Sequence, residues 1–61
     1  MVQKILIVTG RVQEGNYRLK VKKIARKMKV LGTVENLDDG TVEIFCECTD
    51  EQHFQEFKKK I

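Results

Sequence analysis

Four apolar residues, Tyr17, Val21, Ile24 and Met28, recur at spacings of four, three and four, and they decide most of what this chain can become. With Leu31 continuing the series, they fall within an arc of roughly 80° on a helical wheel. Such a stripe predicts an amphipathic helix from about Tyr17 to Met28, with Asn16 placed to cap it. The helix needs a surface to lie on, and the flanking segments supply a sheet. Val2 to Thr9 is a run rich in β-branched residues and leucine that ends at Gly10, and it reads as a strand more buried than an alternating one. Gly32 is the expected end of the helical region. Thr33-Val34-Glu35-Asn36 then reads as a short strand and Asp38-Asp39-Gly40 as a turn. Thr41 to Cys48 returns, with Val42, Ile44 and Cys46 on one face. An Asp-Gly pair between two such runs is a hairpin signal. A second helix is expected to open at Thr49, where Thr49 and Gln52 have capping-box spacing, and to carry Phe54, Phe57 and Ile61 as its apolar stripe.

The resulting order is β-α-β-β-α in one α+β domain covering residues 1–61. It is the ferredoxin-like unit β-α-β-β-α-β without its last strand. The expected architecture is an antiparallel sheet with two helices on one face. A 61-residue chain with 41% hydrophobic residues and no tryptophan has little core to spare, so marginal stability or help from a partner surface is expected.

Ile5-Leu6-Ile7-Val8 is too short to span a bilayer and sits in no cleavable signal pattern, so the expected compartment is the cytoplasm, with no membrane partner. Cys46 and Cys48 lie two apart in a strand and point from one face, at the limit of bridging distance, which disfavours a mutual disulfide. Two readings remain. The favoured one is a pair of small buried hydrophobes. The other is two metal ligands with His53 as a third, for which no fourth ligand suggests itself.

The net charge of +3 hides an asymmetry, because seven of the twelve basic residues fall between Arg18 and Lys29, where there is no acidic residue. Lys58-Lys59-Lys60 adds three more. A basic face suits an anionic partner and equally suits a solvated helix. No aromatic-rich strand accompanies it, which argues against nucleic acid.

One residue conflicts with simple helix design. Arg18 falls in the first helical turn, where the macrodipole disfavours a cation. Before it, Arg11-Val12-Gln13-Glu14-Gly15-Asn16 forms a polar loop that Gly10 opens, and the two glycines allow successive N–H groups to turn toward one point. Loop amides, a helix start and a guanidinium fork together describe a phosphate site. The bland alternative is a solvated arginine whose stem covers the core edge, and spacing alone leaves both open.

Gly10-Arg11-Val12-Gln13 followed by Tyr17-Arg18 resembles the acylphosphatase signature G-x-V-Q-G-V-x-F-R. Gly32-Thr33-Val34-Glu35-Asn36 followed by Asp39-Gly40-Thr41-Val42-Glu43 resembles the same family's G-W-V-x-N…D-G-x-V-E hairpin, and the similarity runs from about Ile5 to Phe57. The resemblance implies hydrolysis of the carboxyl–phosphate bond of an acyl phosphate, without metal or cofactor. It implies that Arg18 binds the phosphoryl group within a cradle made by Arg11, Val12, Gln13, Glu14, Gly15, Asn16 and Tyr17. It also implies that Asn36 positions the attacking water. The expected ligands are a small acyl phosphate or inorganic phosphate.

The departures from the family pattern are specific. Glu14-Gly15 stands where the family has Gly-Val, Thr33 stands for a tryptophan, and Tyr17 for a phenylalanine. A glutamate about 5 Å from a bound phosphate repels it by about 1–3 kcal/mol. The second reading is therefore a degenerate, non-catalytic module that binds a phosphate-bearing ligand or a protein. The family's final strand is absent, which leaves the first strand at an edge. That edge is expected to pair either with its counterpart in a homodimer or with a strand from a longer parent chain.

Overall fold

The computed structural model describes residues 1–10 and 16–61. The elements are β1 (Val2–Val8), α1 (Tyr17–Met28), β2 (Leu31–Asn36), β3 (Val42–Cys48) and α2 (Glu51–Lys60). Strand order is β1-β3-β2, with both pairings antiparallel and β3 central. The central strand alternates as its sequence requires. Val42, Ile44, Cys46 and Cys48 are buried, while Glu43, Phe45 and Glu47 on the other face are half-buried. Val21 of α1 and Phe54 and Phe57 of α2 complete the core against the first set. Both helices thus cover one face of the sheet, and the arrangement is the ferredoxin-like one without its last strand.

β1 corrects one expectation. It is a half-buried alternating strand, with Val2, Lys4, Leu6 and Val8 toward the helices and Ile5 and Ile7 on the open face, 63% and 54% exposed. Composition cannot distinguish a strand covered on both faces from one whose second face is apolar and uncovered. Lys4 fits on the covered side because its ammonium meets Glu51 at 3.2 Å and lies 5.3 Å from the centre of the Phe54 ring. Aligned rows cross the open face: Gln3–Glu47–Leu31, Ile5–Phe45–Thr33 and Ile7–Glu43–Glu35.

The first helix ends earlier than its glycine suggests. Lys29 adopts the left-handed conformation at φ 59°, its N–H donates to the Arg26 carbonyl (3.3 Å), and the Val30 N–H donates to Ala25 (2.8 Å). This is a Schellman closure with lysine where glycine is usual. Leu31 therefore starts β2, exposed, instead of extending the helical stripe. Gly32 lies within that strand at φ 147°, and a Cβ placed on it would run into the Phe45 carbonyl. It is glycine because another backbone occupies the space. The hairpin turn falls where expected. Asp39 accepts from the Thr41 hydroxyl (2.6 Å) and the Thr41 N–H (3.0 Å), which together hold its carboxyl below the usual range.

The second helix starts one residue later than the capping-box spacing implies. Asp50 is the cap, its carboxylate accepting from the His53 N–H at 2.8 Å. His53 then ties the two helices together. Its Nδ1 accepts from the Thr49 N–H (3.0 Å), so Nε2 carries the proton and donates to the Met28 carbonyl at the end of α1 (2.7 Å). With both ring nitrogens engaged, His53 is a structural tether. Cys46 and Cys48 are free thiols in the core, and burial pushes Cys46 up to about 11. Among the described residues no cluster of three or more His, Cys, Asp or Glu could hold a metal ion. Among the same residues no helix is long and apolar enough to cross a membrane.

Candidate functional site

Antiparallel pairing puts the end of β1, the end of β2 and the start of β3 at one end of the sheet, where Val8, Val42 and Asn36 form a row across the three strands. Strand spacing makes that row about 10 Å wide. The chain leaves β1 there, and α1, which begins at Tyr17, returns across the covered face. The topology therefore brings Asn36 and the start of α1 to the same end, although they are 18 positions apart along the chain (36 − 18, counting from Arg18).

Arg18 is exposed in the first turn of α1, a turn that contains no acidic residue. Among the described residues the one ion pair is Lys4–Glu51, so Arg18 has no carboxylate partner there. Asn16 occupies the cap position, and its carbonyl accepts from the Lys20 N–H at 2.9 Å. Its side chain makes no capping hydrogen bond, contrary to the sequence-based expectation. Asn36 is exposed at the last position of β2. Its register parity matches Gly32 and Val34, which places it on the helix side of the sheet.

Tyr17 is half-buried, and its hydroxyl donates to the Ile61 carbonyl at 3.5 Å. Burial raises the Tyr17 pKa. The phenol thus joins the start of α1 to the end of α2. Arg11, Val12, Gln13, Glu14 and Gly15 lie outside the described residues. In the sequence Lys58 reads only as part of a terminal charge run. It lines a groove with Leu6, Ile7, Val8, Thr9, Tyr17 and Ile61, at the end where β1 gives way to the loop. Its signal was the spacing of four from Phe54, which puts both on one side of α2. A second groove, between α1 and β2, is rimmed by Lys22 and Arg26 and includes neither Arg18 nor Asn36.

Taken together, one end of the molecule presents a guanidinium at a helix start, a carboxamide at a strand end and a lysine on the neighbouring helix. Such a set can hold a compact anion and orient a neutral nucleophile beside it.

Comparison with known proteins gives the family of the chain. The acylphosphatase family model matches residues 4–61. The acylphosphatase of Lactococcus lactis is 48% identical over 52 residues, covering 85% of this chain and 54% of that protein. The acylphosphatase of Bacillus licheniformis is 46% identical over all 61 residues, which span 67% of its length. The crystal structure of acylphosphatase from Bacillus subtilis superposes with a TM-score of 0.90 at 43% identity, covering 98% of this chain and 66% of that one. The chain thus spans between about half and two-thirds of the length of these relatives. A match over nearly every residue, with the same elements in the same order, shows that this chain belongs to the acylphosphatase family.

Proposed function

We propose that the chain hydrolyses acyl phosphates at the end of the sheet that carries Arg18 and Asn36. In this reading the Arg18 guanidinium and the backbone amides of residues 11–17 hold the phosphoryl oxygens. Asn36 orients a water in line with the bond to the acyl oxygen. The water oxygen bonds to phosphorus as the bond from phosphorus to the acyl oxygen breaks. The carboxylate departs with that bonding pair, and the water proton remains with the phosphate product or passes to solvent. A carboxylate is already a good leaving group, so positioning and charge stabilisation can carry the rate. A neutral carboxamide can direct the water without adding negative charge beside a phosphate.

The observation that supports this reading is that the start of α1, which carries Arg18, and the end of β2, which carries Asn36, lie at one end of an acylphosphatase fold. Glu14 favours a second reading, in which the site binds a phosphate-bearing ligand without turnover, since the sequence of the loop that would cradle the phosphate then carries a carboxylate. Hydrolysis of benzoyl phosphate by the purified chain, alongside Glu14→Gly, separates the two. Turnover that rises in Glu14→Gly supports the enzyme. Phosphate binding with no turnover in either protein supports the binding module.

A further inference from the structure

We propose that two copies of this 61-residue chain associate through their β1 strands, antiparallel about a two-fold axis at Ile5, into one continuous six-stranded sheet. The direction of the backbone groups is fixed by the registers. The Leu37 N–H donates to the Thr41 carbonyl (2.9 Å), and this pair continues the register in which Asn36 faces Val42. Odd-numbered residues of β3 therefore bond toward β2, and even-numbered ones toward β1. Val2, Lys4, Leu6 and Val8 face the even-numbered set, so their N–H and C=O groups are used within the sheet. Those of Gln3, Ile5 and Ile7 point outward from the edge.

The same three residues turn their side chains to the open face, where Ile5 and Ile7 are 63% and 54% exposed. Among the described residues, outward-pointing hydrogen-bonding groups and uncovered apolar surface thus coincide on one strand. No proline or bulge interrupts it, since the β1–β3 register runs without a slip from Val2 to Val8.

The occupant that fits is a second β1. An axis through Ile5 is the one that pairs all seven residues, matching Val2 with the partner's Val8. It creates three hydrogen-bonded pairs: Gln3 with the partner's Ile7, Ile5 with the partner's Ile5, and Ile7 with the partner's Gln3. The charges agree with this register. Lys4, the one charged side chain of β1, would face the partner's Leu6 while remaining paired with Glu51 on the helix side. Moving the axis to Lys4 would instead set two ammonium groups directly opposite each other, which is unfavourable. On the open face, Ile5 and the partner's Ile5 would then lie in one row between the two Phe45 rings, with one Ile7 in each flanking row, giving an isologous apolar strip.

The exposure of Ile5 supplies a clean test, because a charge there should be tolerated by the isolated fold. Sedimentation velocity on the 61-residue chain from about 10 μM to about 1 mM should show dimer growing with concentration. Ile5→Lys and Ile5→Glu should each be folded by circular dichroism and monomeric across that range, since each sets like charges face to face at the axis. Mixed in equal amounts, the two variants should associate. A wild-type chain that stays monomeric at about 1 mM overturns the proposal. So does a dimer that survives Ile5→Lys, or a mixture of folded variants that fails to pair.

Discussion

Lys29 closes the first helix in a conformation that costs a non-glycine residue about 1–2 kcal/mol. Replacing it with glycine removes that strain and leaves both closing bonds, Lys29 to Arg26 and Val30 to Ala25, intact, since they involve only the backbone. Two effects oppose the gain. Glycine loses more backbone freedom on folding, about 0.5–1 kcal/mol, and a cation is lost from the negative end of the helix, worth about 0.3 kcal/mol when exposed. The balance is a stabilisation of about 0.5 kcal/mol. In a chain this short, 1 kcal/mol moves the midpoint by about 4–8 °C, so Lys29→Gly should raise Tm by about 2–4 °C. Lys29→Ala is the control, because it loses the charge and keeps the strain, and it should not raise Tm. Thermal unfolding followed by circular dichroism reads both. A lower Tm in Lys29→Gly than in Lys29→Ala would refute the left-handed closure.

Three further outcomes follow from particular contacts. His53→Ala should cost about 2 kcal/mol in urea unfolding, because it removes two hydrogen bonds and leaves the Met28 carbonyl unpaired at the helix junction; a loss under about 0.5 kcal/mol would contradict the tether. Gly32→Ala should cost about 3 kcal/mol or leave the chain unfolded, seen as loss of the cooperative transition, since a Cβ meets the Phe45 carbonyl and the φ of 147° disfavours any side chain. Burial raises the Cys46 pKa to about 11 in the folded state, whereas an unfolded thiol ionises near 8.5; stability is therefore fully present below that value and should fall as pH rises from about 8.5 to about 11, and a flat profile in alkaline denaturant titrations of wild type against Cys46→Ala would be contrary.

Most of the fold was legible in the order of hydrophobic periods. The 4-3-4 stripe marked α1, and the Asp39-Gly40 pair marked the hairpin. The errors sit where one residue type serves more than one purpose. Gly32 looked like a helix stop because glycine commonly ends helices, yet it is glycine for a close backbone approach inside β2. Lysine carries no signal for a left-handed closure, so Lys29 was invisible. Thr49 matched a capping box, but the cap is Asp50, with a histidine reaching back in place of the expected glutamine. Arg18 was legible as an anomaly, a cation in a first helical turn. Asn36 was legible only through the family resemblance, because a lone asparagine before a turn is otherwise ordinary; the topology adds that the end of β2 and the start of α1 lie at one end of the sheet. Lys58 needed the packing of α2 against β1 before it joined that end.

The central claim is that Arg18 and Asn36 form one hydrolytic site. Its most direct test is kcat/KM for benzoyl phosphate in wild type, Arg18→Ala and Asn36→Ala, with folding checked by circular dichroism. Both side chains are exposed, so neither substitution should unfold the chain. Removing one preorganised group should lower kcat/KM by about 10²–10³ in each case. Arg18→Ala should also weaken phosphate inhibition, while Asn36→Ala should leave it nearly unchanged, because the asparagine addresses the water and the arginine the phosphoryl group. Wild-type turnover that survives Arg18→Ala at full rate would contradict the account.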